Sequence, residues 1–212
     1  MAIGGGIIAG GLQTLIVLFV WKKYGIEIAG WRNIKQKMAL IICLVLLSLL
    51  GCLLFMGKNP IITCIHFLVF HTILLAISGI DYKQKIIPNK LLIAGMGART
   101  IFLLAEFVFY QDTFWRVLFN SLVGMAFGFG LMLVLCWISK HGIGFGDVKL
   151  FAWIGYCVGL NDTYSILFYS ALIAAVAGTY LLIIKKESRK KAIPFGPFVW
   201  AGAYVVDLLL LL

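Results

Sequence analysis

Two acidic residues stand at the borders of long apolar segments, where a carboxylate could take part in chemistry. Asp81 follows 22 uncharged residues, and Asp147 lies in the glycine-rich sequence Gly144-Phe145-Gly146-Asp147. An ionisable residue in a membrane-buried setting is costly, so it indicates a functional site. The other six acidic residues are explained as surface charge balance, as solvated loop carboxylates, or as capping and pairing groups near helix ends.

Two facing carboxylates can hydrolyse an amide bond. Like charges close together cannot both ionise cheaply, so one keeps its proton and the pair titrates as a unit. The ionised member can take a proton from water as it attacks the amide, while the protonated member polarises the carbonyl. The glycines at 144 and 146 allow unusual backbone angles and close approach of a substrate strand. The pair therefore predicts an aspartic endopeptidase that uses no metal and no cofactor.

The composition predicts a multi-pass membrane protein. Apolar residues make up 63% and charged residues 12% of the 212 residues, with a mean hydropathy of +1.06. Ordinary soluble domains have about 25% charged residues. A membrane span needs roughly 20 apolar residues, so eight spans would leave only short connections. We predict an all-α fold, a polytopic helix bundle with about eight transmembrane spans that forms one membrane-embedded peptidase domain over residues 1–212.

The positions of the spans follow from the uncharged segments. Five are clear and three are interrupted by charge: 1–21, 38–57, 59–80, 117–139 and 163–184, then 88–107, 141–161 and 192–212. The segment 141–161 must begin before Asp147 or remain a short, partly inserted helix. If every segment crosses, 15 of the 18 Lys and Arg lie on one face. The positive-inside rule makes that face cytoplasmic.

This topology predicts where the carboxylates act. Both termini lie outside, and Asp81 and Asp147 belong to the same cytoplasmic leaflet of the cell (plasma or inner) membrane. The net charge of +10 does not predict a nucleic-acid partner, because the basic residues form short clusters between apolar segments. The five cysteines all lie in apolar segments without a CxxC pair, which predicts small buried residues rather than a zinc site or disulfides.

At the two aspartates the chain resembles a known family. The segment Gly144 to Leu150, with its Gly-x-Gly-Asp, is similar to the signature of GxGD intramembrane aspartyl proteases. More narrowly, it resembles the type IV prepilin peptidases and preflagellin peptidases. Two further motifs match in the same order: Ile87-Pro88-Asn89 after Asp81, and Ile193-Pro194-Phe195-Gly196-Pro197. The resemblance covers roughly residues 60–205.

The resemblance implies a site and a substrate. Asp81 and Asp147 would be the catalytic pair, and motif residues would support them: Gly144, Gly146, Lys149, Pro88, Pro194, Gly196 and Pro197. The substrate would be a pilin-like or pseudopilin precursor, cut after its short basic leader. Bacterial members commonly carry paired CxxC motifs between the first two spans, linked to N-methylation. The segment Lys22 to Lys37 has no cysteine, so we expect peptidase activity alone.

Other readings stay open at this point. The two aspartates could form a proton relay in a small proton-coupled transporter, although no internal repeat of the kind common in transporters is present. A non-catalytic scaffold would leave the costly carboxylates without a purpose. Several polar residues have two interpretations: Arg99 could pair with Glu106 or Asp207, and Lys149 could anchor a helix at the lipid surface or reduce the charge cost of the aspartates. The natural precursor and the oligomeric state are left open.

Overall fold

The computed structural model describes residues 2–25, 61–139, 142–183 and 193–211. These ranges form helices without strands: α1 (Ala2–Lys23), α2 (Ile61–Gln84), α3 (Asn89–Phe109), α4 (Gln111–Ile138), α5 (Phe145–Val158), α6 (Leu160–Ile183) and α7 (Gly196–Leu211). The all-α prediction is confirmed for these residues. The predicted span 38–57 and the basic cluster 185–191 lie outside the described residues, as does most of the segment 22–37.

Four of these helices, α2, α3, α4 and α6, are long and apolar enough to cross a membrane. Two others are shorter: α5 has 14 residues and α7 has 16. At a rise of 1.5 Å per residue they extend about 21 and 24 Å, less than the hydrocarbon core of about 30 Å. The helix that carries Asp147 begins two residues before it, at Phe145, and is short. The count of eight spans and the outward termini stay predictions.

The outer surface of the described helices is apolar. Large side chains such as Phe109, Trp115 and Trp137 are exposed rather than buried. An exposed apolar surface of this extent is typical of a protein that faces lipid. Inside, the short helix α5 packs against α3, α4 and α6. Its residues Phe151 and Trp153 belong to the main buried core, so α5 lies inside the bundle.

Glycines bring α4 and α5 close together. The backbone at Gly124 contacts the backbone of Gly155 and Gly159, and Gly128 contacts the carbonyl of Phe151. A side chain at Gly124 or Gly128 would overlap these backbone atoms, so this GxxxG pair allows the two helices to pack closely. The contact fixes α5, and with it Asp147, against a long helix.

A tight turn separates α5 from α6. Gly159 ends α5 with a φ of +84°, a conformation that residues with a side chain rarely adopt. The side-chain amide of Asn120 fills the space beside it, and the Asn120 Oδ1 accepts a hydrogen bond of 3.2 Å from the Leu160 N–H. The turn lets α6 begin one residue after the α5 cap and return along the bundle.

Candidate active site

Asp81 lies in the last turn of α2 and is buried, with 6% of its surface exposed. Its Oδ2 accepts a hydrogen bond of 2.7 Å from the backbone N–H of Gly196, the first residue of α7. A Cβ atom on Gly196 would lie only 3.0 Å from this oxygen. The absence of a side chain therefore allows the start of α7 to approach the carboxylate, and the positive end of its helix dipole favours a negative charge there.

Asp147 is the third residue of α5 and is half-buried. Its backbone N–H donates to the Gly144 carbonyl at 3.0 Å, which closes the first turn of the helix. Burial and the nearby Asp81 carboxylate raise the pKa of Asp147 to about 6, and a hydrogen bond from the Gly144 backbone acts in the opposite direction.

The loop between α2 and α3 packs against the glycine-rich segment. A Cβ atom on Gly146 would lie 3.2 Å from the Cβ of Ile87, so the glycine permits this contact. One residue later, Pro88 has an extended backbone and caps the start of α3. The Ile-Pro-Asn motif therefore contacts the segment that begins α5.

Lys149 points toward the same loop. Its Nζ donates to the Asn89 Oδ1 at 3.2 Å and lies 5.2 Å from the centre of the Phe145 ring. Neither sequence interpretation of Lys149 named these contacts. The side chain joins the beginnings of α3 and α5.

The third motif forms the start of α7. The Phe195 carbonyl accepts hydrogen bonds from the N–H groups of Phe198 and Val199, at 3.0 and 3.1 Å. Pro194 precedes this turn and Pro197 lies within it, where proline fits because the first backbone N–H groups have no helical partner. The Phe195 ring stacks on Phe151 of α5, with 6.2 Å between ring centres. All nine predicted site residues thus lie at one end of the helix bundle.

Two polar pairs, each with one buried and one partly buried member, lie away from this end. The Arg99 Nη1 donates to the Glu106 Oε1 at 3.0 Å, and the Arg99 Nη2 donates to the Ser121 Oγ at 3.3 Å. Glu106 is therefore the partner of Arg99. Asp207 instead contacts His71, with 2.6 Å between the Asp207 Oδ2 and the His71 Nε2. The sequence did not predict this second pair, because its members lie 136 residues apart. Each was recognisable only as a polar residue within an apolar segment.

Two carboxylates at the same end of the bundle are the chemical groups that a water-activating pair requires. Within the described residues, no group of three or more His, Cys, Asp or Glu side chains is placed to hold a metal ion. The described cysteines Cys64, Cys136 and Cys157 are buried, as predicted.

Comparison with known proteins points to one family. Residues 68–179, which include both aspartates, match the type IV leader peptidase family. A prepilin leader peptidase/N-methyltransferase of Xanthomonas campestris pv. campestris is 31% identical over 144 residues, covering 66% of this chain and 48% of the relative. The protein of the same name from Bacillus subtilis is 31% identical over 140 residues, covering 66% of this chain and 54% of the relative. The protein of the same name from Pseudomonas putida is 29% identical over 140 residues, covering 64% of this chain and 46% of the relative. The chain spans about half the length of these curated relatives. No solved structure matches it.

Proposed function

The chain belongs to the type IV leader peptidase family, and from this premise we propose that it is an intramembrane aspartic endopeptidase. It removes the short basic leader from type IV pilin-like precursors. The observation that carries the proposal is the placement of two carboxylates, Asp81 in the last turn of α2 and Asp147 in the first turn of α5, at one end of the bundle and within the residues that match the family. Family membership also favours a peptidase over a proton-coupled transporter.

In the proposed reaction the pair shares one proton. The ionised carboxylate takes a proton from water as the water oxygen bonds to the carbonyl carbon, and the protonated carboxyl donates to the carbonyl oxygen. The tetrahedral intermediate then collapses, the C–N bond breaks, and the proton taken from water passes to the leaving amine. The carbonyl oxygen returns its proton, which restores the pair with one proton. Asp81 and Asp147 are the catalytic residues.

The substrate and the site would meet at the cytoplasmic boundary of the cell membrane. The relatives are named prepilin leader peptidases, which supports a prepilin substrate class. A pilin precursor holds its apolar helix in the bilayer and its basic leader in the cytoplasm, so the scissile bond lies near the inner boundary. The Gln84 Nε2 donates to the Tyr24 carbonyl at 2.5 Å, which brings Lys22, Lys23 and Lys83 to the Asp81 end. This basic cluster supports a cytoplasmic site.

We further propose that the chain does not methylate its product. The relatives are named N-methyltransferases as well as peptidases, but the segment Lys22 to Lys37 has no cysteine. Reconstituted protein with a prepilin and S-adenosylmethionine is expected to release a mature chain with a free amino terminus, which mass spectrometry detects. A methylated amino terminus would contradict this part of the proposal.

The peptidase proposal is tested by leader cleavage in liposomes. Wild type, Asp81→Asn and Asp147→Asn are each mixed with several synthetic prepilins, and leader release is followed by mass spectrometry. We expect both variants to lose about 10³-fold or more in kcat/KM, because each removes one member of the acid–base pair. Asp112→Asn, at the exposed start of α4, is the matched control and should cleave like wild type. Cleavage that survives in a folded Asp81→Asn or Asp147→Asn variant would refute the assignment.

A further inference from the structure

The buried His71–Asp207 pair joins the same two helices that form the Asp81 side of the site. His71 and Asp81 lie in α2, and Gly196 and Asp207 lie in α7. Asp81 bonds to Gly196 at one end of this helix pair, and His71 bonds to Asp207 further inside. The two helices are therefore linked by two polar contacts.

The spacing of these contacts is the same along both helices. His71 precedes Asp81 by ten residues, and Asp207 follows Gly196 by eleven. At a rise of 1.5 Å per residue both intervals are about 15 to 17 Å. Because the helices are antiparallel, a bond at one position sets the register at the other. A shift of α7 by one residue would separate both pairs.

Between these two positions α7 contributes apolar side chains to the core. The buried residues of α7 in this interval are apolar: Val199, Ala203 and Val206. Apolar packing between membrane helices tolerates small shifts along the axis, whereas an interhelical hydrogen bond fixes both translation and rotation.

The His71 ring is itself held in place. It is 1% exposed, and it packs against Phe67, Phe70 and Tyr204 with ring centres 4.2 to 5.2 Å apart. Within the described residues its Nδ1 has no hydrogen-bond partner, which fits a ring that uses Nε2 alone to reach Asp207. A ring enclosed in this way defines one position for the Asp207 carboxylate.

We propose that His71 and Asp207 are positioning residues that hold the Gly196 N–H on the Asp81 carboxylate. This inference rests on the proposed peptidase function, since it assigns a role in preparing one of the two catalytic carboxylates. Neither residue reaches the scissile bond. Their loss leaves the prepilin-binding surface intact and misaligns Asp81, so it lowers kcat and leaves KM unchanged.

The Arg99–Glu106 pair provides a matched control. Exposure of the two partners is 4% and 17% for this pair, against 1% and 22% for His71 and Asp207. Arg99 lies ten residues from Asn89 at the start of α3, a depth similar to that of His71. The pair contacts Ser121 of α4 and does not join α2 to α7. Breaking it should cost comparable stability without moving Gly196.

The experiment compares Asp207→Leu with Glu106→Leu in liposomes. Misplacement of a reacting group by about 1 Å can cost about 10²-fold, so we expect kcat of Asp207→Leu to fall 10- to 100-fold, with KM within about twofold of wild type. Glu106→Leu should retain kcat. Asp207→Asn keeps an oxygen acceptor of similar shape and should recover most of the activity. The double variant His71→Leu/Asp207→Leu leaves no buried polar group unpaired, so it should fold yet remain slow.

Hydrogen exchange of the Gly196 amide gives a readout that does not depend on cleavage. In Asp207→Leu this amide should exchange faster by about tenfold or more, because its hydrogen bond to Asp81 is weakened; in Glu106→Leu it should not change. Unchanged exchange, full activity of the double variant, or equal losses in both Leu variants would overturn the proposal. If wild type cleaved no prepilin, the proposed function would fail, and the exchange result alone would decide whether the pair positions Gly196.

Discussion

Asp81 and Asp147 carry the same side chain in opposite kinds of local structure. Asp81 lies in the last turn of a 24-residue helix and is buried. It accepts a hydrogen bond from the backbone of Gly196, which lies in another helix 115 residues away. Asp147 begins a 14-residue helix, is half-buried, and is held by a turn within its own segment. Tertiary packing holds both helices, but the Asp81 carboxylate itself bonds to a distant helix, whereas the Asp147 backbone N–H bonds within its own segment. Disturbing distant contacts should affect the Asp81 side more than the Asp147 side.

The same substitution at the two neighbouring glycines should give the largest difference between the carboxylates. A Cβ atom at Gly196 would lie 3.0 Å from the Asp81 Oδ2, whereas one at Gly144 would lie 3.4 Å from the Asp147 Oδ2, an ordinary contact. We expect Gly196→Ala to lower kcat/KM by about 100-fold, because it displaces α7 from Asp81. Gly144→Ala should cost less than about tenfold. Leader cleavage measures both, and equal losses would contradict the comparison.

The support of Asp147 through α5 can be broken within α4. A methyl group at Gly128 would overlap the Phe151 carbonyl, whereas Gly130 has nothing within 4 Å of an added Cβ. Gly128→Ala should lower the free energy of unfolding by about 1–3 kcal/mol, as overpacking does. Gly130→Ala, its control in the same helix, should not destabilise. Thermal unfolding in detergent measures both, and a stable Gly128→Ala protein would show that α5 is not held through this contact.

The raised pKa of Asp147 predicts a limit to activity on the alkaline side. Its pKa is raised to about 6, so the proton shared by the pair is present below that pH and lost above it. We expect kcat/KM to fall as the pH rises through about 6, by up to tenfold per unit. Asp81→Asn removes the like charge and should lower the pKa of Asp147, which infrared titration of the carboxyl band can follow. An unchanged titration in Asp81→Asn would mean that the two groups do not interact.

The sequence predicted the described helices well, because they depend on local patterns. Uncharged segments identified the helices, and three motifs identified the residues that meet at one end of the bundle. Helix ends were less predictable. The predicted span 88–107 corresponds to α3, which continues to Phe109. The predicted span 117–139 corresponds to α4, which already begins at Gln111. Hydropathy marks the edge of the membrane, whereas a helix continues past it through Asp112 and Arg116.

Long-range partners were not predictable from the same patterns. The Asp81–Gly196 bond joins residues 115 positions apart, and the His71–Asp207 pair spans 136. Such pairs depend on which helices become neighbours, and apolar segments of similar composition carry little information about neighbours. Asp147 could be identified from the four consecutive residues Gly144 to Asp147, because its backbone N–H bonds to a carbonyl within that segment.

Lys149 gives the smallest expected effect and the finest test of the Asp147 side. Its Nζ bonds to the Asn89 side chain at 3.2 Å, a partly exposed contact. An exposed hydrogen bond of this kind contributes at the lower end of about 0.5–1.5 kcal/mol, a factor of about two to three, so Lys149→Met and Asn89→Ala should each lower kcat/KM less than about threefold. If this hydrogen bond is the shared role of the two side chains, the double variant should lose no more kcat/KM than either single variant. A different outcome would be a loss above tenfold in Lys149→Met alone, together with a shift in the pH at which kcat/KM falls on the alkaline side. That outcome would mean that the ammonium group offsets the charge of the carboxylates.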